Sequence, residues 1–198
     1  QIGSSGVLTI SPTQTTVLNL SGFNGFQCAS TVPVTITVLP IPNVEINALD
    51  SSLCAGEQVN LAASGALSYE WNGLQLAGNT STSVNYLPTQ SEWVYLMGES
   101  FEGCQADDSL WIQINELPDL VISGDTTICA SEEVQLLVAG ANTYTWSTGE
   151  TSSSLVFAPT QTTPIQVVGT DINGCTGTLS TTITVFPMPN ASFSSDVS

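Results

Sequence analysis

Residues 54–71 read CAGEQVNLAASGALSYEW and residues 129–146 read CASEEVQLLVAGANTYTW; the two stretches lie over one another without a gap. Cys, Ala, Glu, Val, Leu, Gly, Ala, Tyr and Trp coincide. Val59 and Leu61 alternate with polar residues, a period of two that describes a strand with one buried face. Tyr69 and Trp71, like Tyr144 and Trp146, stand two apart and so share a face, which their bulk assigns to the core. The same alternation returns at 110–114 and 181–185, Ser, Thr, Val and Ile dominate, and no capped amphipathic helix is visible. The stretch therefore predicts an all-β chain.

Working outward, Pro-Thr-Gln recurs at 12–14, 88–90 and 159–161, and each Pro precedes a Cys by 16 residues, at Cys28, Cys104 and Cys175. Each of these cysteines is followed by an alternating apolar run and then proline, at Pro40 and Pro42, Pro118, and Pro187 and Pro189. The prolines mark joints. The register gives the C-terminal half of a repeat at 1–41, complete repeats at 42–117 and 118–188, and the first strand of another at 189–198. The period is 75 by the first cysteine (129 − 54) and 71 by the second (175 − 104), the difference falling mainly in a loop at 73–80. Asn24-Gly25, Glu102-Gly103 and Asn173-Gly174 are turn signals before the closing strand of each repeat. About seven short strands in roughly 70 to 76 residues fit an Ig-like antiparallel sandwich.

Five cysteines leave one over. The repeat register makes Cys54 with Cys104 and Cys129 with Cys175 the natural pairs, one disulfide per domain, and Cys28 the partner of an upstream cysteine outside the chain. Four cysteines permit three connectivities, and free buried thiols are the competing reading. Closing loops of about 50 residues would contribute roughly 4 kcal/mol each in the chain-entropy model. Disulfides point to an oxidising, extracytoplasmic setting.

The charge balance removes whole classes of function. Seventeen Asp and Glu stand against no Lys, Arg or His, a formal charge of −17. No cationic side chain is present to grip phosphate backbones or anionic lipid, so nucleic acid and direct membrane insertion are excluded as partners. The usual neutral-pH base, the Schiff-base amine and the commonest transition-metal ligand are missing, and Ser without His or Lys is not an activated nucleophile. The chain is read as a non-enzyme. No side-chain salt bridge can form, so stability rests on apolar burial, strand pairing and covalent links. With Gln1 in place of Met and no signal core or membrane-length apolar run, the sequence is expected to be a mature or internal fragment.

The elements Cys-Ala-x-Glu-x-Val-x-Leu, Gly-Ala-x-x-Tyr-x-Trp, Pro-Thr-Gln, Asn173-Gly174-Cys175 and the closing Pro-x-Pro resemble the Ig-like and PKD-like tandem repeats of very large Bacteroidota surface proteins. These include gliding-motility adhesins exported by the type IX system. The resemblance covers essentially the whole chain. Trp146-Ser147-Thr148-Gly149-Glu150 and Trp71-Asn72-Gly73 depart from the Trp-Asp-Phe-Gly-Asp-Gly run common in PKD domains, which favours the broader Ig-like label. It implies a secreted cell-surface stalk or filament, its repeats packing on neighbours in one long chain and displaying an adhesive part.

Several residues are candidates for more than packing. Ca²⁺ takes oxygen ligands, and Asp107, Asp108, Glu116, Asp119 and Asp125, with Glu132-Glu133, are where it is expected if it binds; solvated acidic surface is the plainer reading, and no cofactor is required. Ser109 in Asp108-Ser109-Leu110 and Thr126 in Asp125-Thr126-Thr127 resemble the Bacteroidota O-glycosylation acceptor motif, while Asn19, Asn79 and Asn190 fit the N-linked pattern. Trp93 and Trp111 have no aromatic counterpart in the second complete repeat and are read as core variants, or alternatively as an exposed face binding cell-surface glycans together with the loop at 73–80. A self-assembling surface filament, with 1–41 completed by strands of another subunit, is the third reading.

Overall fold

The computed structural model describes residues 7–192. It is all-β, with sixteen strands and no helix among the described residues. β1 (Thr16–Phe23) and β2 (Ala29–Ile36) form an antiparallel hairpin. Two series of seven strands follow. The first comprises β3 (Glu45–Ala48), β4 (Ser52–Cys54), β5 (Val59–Ser64), β6 (Ser68–Asn72), β7 (Ser83–Tyr86), β8 (Glu92–Glu99) and β9 (Gln105–Asn115). The second comprises β10 (Val121–Gly124), β11 (Thr127–Cys129), β12 (Val134–Ala139), β13 (Thr143–Trp146), β14 (Ser154–Phe157), β15 (Thr163–Thr170) and β16 (Thr176–Phe186).

Both series are wired identically. A three-stranded sheet, β3-β5-β7 or β10-β12-β14, accompanies a four-stranded one, β4-β9-β8-β6 or β11-β16-β15-β13. This is an Ig-like arrangement in which the short second strand leaves the first sheet and pairs in parallel with the last strand of the other. The described residues divide into two compact units, one of 7–49, Asn60–Tyr86 and Trp93–Trp111, the other of Asp50–Val59, Leu87–Glu92 and 112–192. The strand expected at 189–198 shows none over 189–192, and its remainder lies outside the described residues.

The alternation in sequence becomes the core. In β12, Val134, Leu136 and Val138 are buried while Gln135 and Leu137 are exposed, and β5 buries Val59 and Leu61. In the second unit Val134, Leu136 and Val138 meet Trp146, Leu155, Ile165, Val167 and Ile183 in one cluster. The segments between series contribute Val44 and Leu120, which lie against Gly98 and Gly169: a Cβ on either glycine would come within 2.5 Å of a methyl group.

Candidate functional site

Each residue of the repeated motif has a definite task. Tyr69 donates its hydroxyl hydrogen to the Ala66 carbonyl at 2.9 Å and accepts from the Ala66 N–H at 3.0 Å; Tyr144 does the same with Ala141 at 2.8 and 3.0 Å. The indole N–H of Trp71 donates to the Ser81 carbonyl and that of Trp146 to the Ser152 carbonyl, both at 2.8 Å. Trp71, Trp146 and Tyr69 are buried, and Tyr144 is partly buried against the second core. Gly65 and Gly140, at the head of Gly-Ala-x-x-Tyr, hold φ of +93° and +107°, and a Cβ there would strike the carbonyl oxygens of Asn43 and Asp119.

The cysteines fall into two local settings. Cys54 and Cys129 end the short strands β4 and β11 and open a tight turn, in which the fourth residue's N–H donates to the cysteine carbonyl. The same fourth residue, Glu57 or Glu132, returns its carboxylate to accept from the cysteine N–H at 2.8 Å. That explains the Cys-Ala-x-Glu motif. Its third position has positive φ, at Gly56 (91°) and at Ser131 (74°).

Cys28, Cys104 and Cys175 share the other setting, just past the turn of a hairpin. Each cysteine carbonyl accepts from the N–H of the residue four before it, Asn24, Ser100 or Asp171, and each cysteine N–H donates to that residue's side chain at 2.9, 3.2 and 2.8 Å.

One disulfide links the two settings: Cys54 is bonded to Cys175, with Cα atoms 5.5 Å apart and a sequence separation of 121. The expected pairs Cys54 with Cys104 and Cys129 with Cys175 are not formed, and Cys28, Cys104 and Cys129 are free thiols. The reason is the length of the last strand. Cys54 stands opposite Asn115, the last residue of β9, whereas Cys104 immediately precedes its first residue. Eleven residues of extended chain separate those ends by roughly 35 Å, against a disulfide limit of about 7 Å between Cα atoms. Cys129 opposite Phe186 and Cys175 before Thr176 repeat that geometry on β16. So the bridge passes from the first strand series to the second.

Trp93 and Trp111 are not in the core. They lie on the outer face of the first series, 49% and 39% exposed, with ring centroids 5.4 Å apart and planes inclined by 58°. Tyr95, half exposed, follows Trp93 on the same face of β8. The longer loop at 73–80 folds back, Asn79 bridging to Trp71, and buries Leu76.

Asp107, Glu116, Asp119, Asp125, Glu132 and Glu133 are exposed, and Asp108, half buried, accepts from the Ile46 N–H at 2.8 Å. Among the described residues no three acidic or cysteine side chains come together as a group able to hold a metal ion. Ser109 and Thr126 are both exposed. No described helix is long and apolar enough to cross a membrane.

No family model matches this sequence, and no curated protein does. Solved structures resemble it at low identity. The C-terminal 282-residue fragment of intimin, solved with the intimin-binding domain of its translocated receptor, is 14% identical over 71% of this chain and 63% of its own, with a TM-score of 0.44. A Ca²⁺-stabilized adhesin with which an Antarctic bacterium binds ice is 13% identical over 87% of this chain and 57% of its own (TM-score 0.41). Murine CEACAM1b is 11% identical over 74% of this chain and the whole of its own (TM-score 0.35). The chain thus spans less than two thirds of the intimin fragment and of the ice-binding adhesin. At these identities and TM-scores the likeness bears on neither partner nor activity.

Proposed function

We propose that the chain is a stalk segment of an extracellular bacterial surface adhesin, in which sandwich repeats at 42–117 and 118–188 space an adhesive part from the cell without catalysis. The observation that carries this reading is the Cys54–Cys175 bridge, which ties consecutive strand series together. A covalent bond between strands of consecutive series fixes their succession along the chain, which suits a spacer. The bridge also fits an oxidising compartment, and a surface without cations leaves trypsin-like proteases no cleavage site. The finer assignment, to type IX-secreted gliding-motility proteins of Bacteroidota, rests on the motif resemblance. Small-angle scattering of the oxidised chain tests the stalk: an elongated particle whose flexibility rises on reduction is expected, and a compact globule indifferent to reductant sinks the idea.

A second reading is favoured by the exposed aromatics. Trp93, Tyr95 and Trp111 form a shelf of the type that packs on sugar rings, although the 58° inclination lets only one indole lie flat on a given ring. Glycan binding abolished by Trp93→Ala or Trp111→Ala supports this reading; unchanged binding removes it.

A further inference from the structure

We infer that Cys129, Cys104 and Cys28 are halves of the same bridge that Cys54 and Cys175 complete, and that each takes its partner from another repeat of this kind. The inference rests on the stalk reading and extends it. Cys129 reproduces the setting of Cys54 in full: the end of a three-residue strand, a parallel partner at the end of the last strand, and a turn closed by a Glu carboxylate 2.8 Å from the cysteine N–H. Cys28 and Cys104 reproduce the main-chain setting of Cys175, with the same pair of main-chain bonds and a side-chain oxygen four residues back accepting from the cysteine N–H. The bond present joins one setting of each kind, the strand end in one series to the hairpin in the next.

Such a contact is heterologous. Its two sides differ, so it leaves one unused half at each end and propagates instead of closing. Among the described residues the unused halves are a strand-end thiol, Cys129, which is exposed, and two hairpin thiols, Cys28, exposed, and Cys104, half buried. The register argument forbids Cys104 and Cys129 from closing within their own series, since β9 and β16 are equally long. Cys129 therefore bonds a hairpin cysteine, and Cys104 and Cys28 bond strand-end cysteines, never like with like.

Each bond requires an oxidant, which we take to be a low-molecular-weight disulfide. One cysteine thiolate attacks it, displacing a thiolate and leaving a mixed disulfide; the second cysteine thiolate attacks that mixed disulfide on the protein sulfur and displaces the other half. Two cysteine thiols lose two protons and two electrons, and one small disulfide becomes two thiols.

The test uses the full 198-residue chain in a glutathione redox buffer. One variant keeps Cys129 as its only free thiol (Cys28→Ser with Cys104→Ser), and the other keeps only the hairpin thiols (Cys129→Ser). All three thiols are spare in the described fold, so both variants retain Cys54–Cys175 as an internal control. Mixed together, they are expected to give cross-linked dimers joined through Cys129 and Cys28 or Cys104, at least tenfold over the dimers either gives alone. Dimers formed equally well from each variant by itself, or no dimers while Cys54–Cys175 is intact, overturn the inference and leave the stalk reading standing. Absence of Cys54–Cys175 from the peptide map overturns the stalk reading as well.

Discussion

Cys54 faces Asn115 across the parallel ladder of β4 and β9, at the far end of the strand that begins beside Cys104. Proteolysis under non-reducing conditions is therefore expected to release one peptide pair containing Cys54 and Cys175, with Cys104 and Cys129 open to alkylation in freshly reduced and mildly reoxidised protein. A linked pair containing Cys54 and Cys104 contradicts the strand register itself.

Tyr144 holds both the N–H and the C=O of Ala141 with one hydroxyl. Tyr144→Phe keeps the ring and orphans two partly buried main-chain groups, so a loss of roughly 1–3 kcal/mol is expected in chemical denaturation. Tyr95→Phe, on the exposed face, should change stability by less than about 0.5 kcal/mol. Equal effects from the two would mean that the hydroxyl of Tyr144 does not clasp the turn.

Gly140 sits where a Cβ would strike the Asp119 carbonyl, and Gly149 has a similarly positive φ with open space around it. Gly140→Ala is expected to cost about 3 kcal/mol or more, because main chain has to move as well as φ being unfavourable, while Gly149→Ala should cost only about 1–2 kcal/mol. Thermal melts of the pair separate close approach from conformational preference. Parity between them would show that the joint residue Asp119 is not pinned against this turn.

Ser131 occupies at φ +74° the position that Gly56 fills in the preceding series. Ser131→Gly should stabilise the second unit by up to about 1 kcal/mol, since the left-handed conformation costs a side-chain-bearing residue about 1–2 kcal/mol and glycine returns part of that as chain entropy. A destabilised variant would reveal a contact of the Ser131 side chain that outweighs the strain.

Glu132 accepts from the Cys129 N–H, as Glu57 does for Cys54. Glu132→Ala is expected to lose about 1–2 kcal/mol, and Glu132→Gln less, because the amide oxygen still accepts. Both are read from urea midpoints. A larger loss for Gln than for Ala would exclude the capping role.

The sandwich was legible because burial alternates with a period of two, as Val134, Leu136 and Val138 show, and because the Tyr-x-Trp pair places its two large rings on one face. The disulfide was not. Sequence repetition says which cysteines are equivalent, but the distance between them depends on which end of the last strand the short parallel strand β4 meets, and a three-residue strand carries no signal of its partner. For Trp93 and Trp111 bulk alone favours the core, and the exposed face, the alternative reading, is the one found. On alternating strands their neighbours Val94 and Ile112, both fully buried, show which face is inward.

Joining Cys54 to Cys175 has a mechanical result. Tension applied on either side of the bridge runs through the sulfur atoms and never reaches the 120 residues enclosed (175 − 54 − 1), which would otherwise yield roughly 400 Å of contour length if pulled straight. A second bridge starting at Cys129 would begin inside the first loop, so successive shortcuts would overlap. Such a tether would lengthen less on unfolding, because force would cross only the stretch from Cys129 to Cys175 in each repeat.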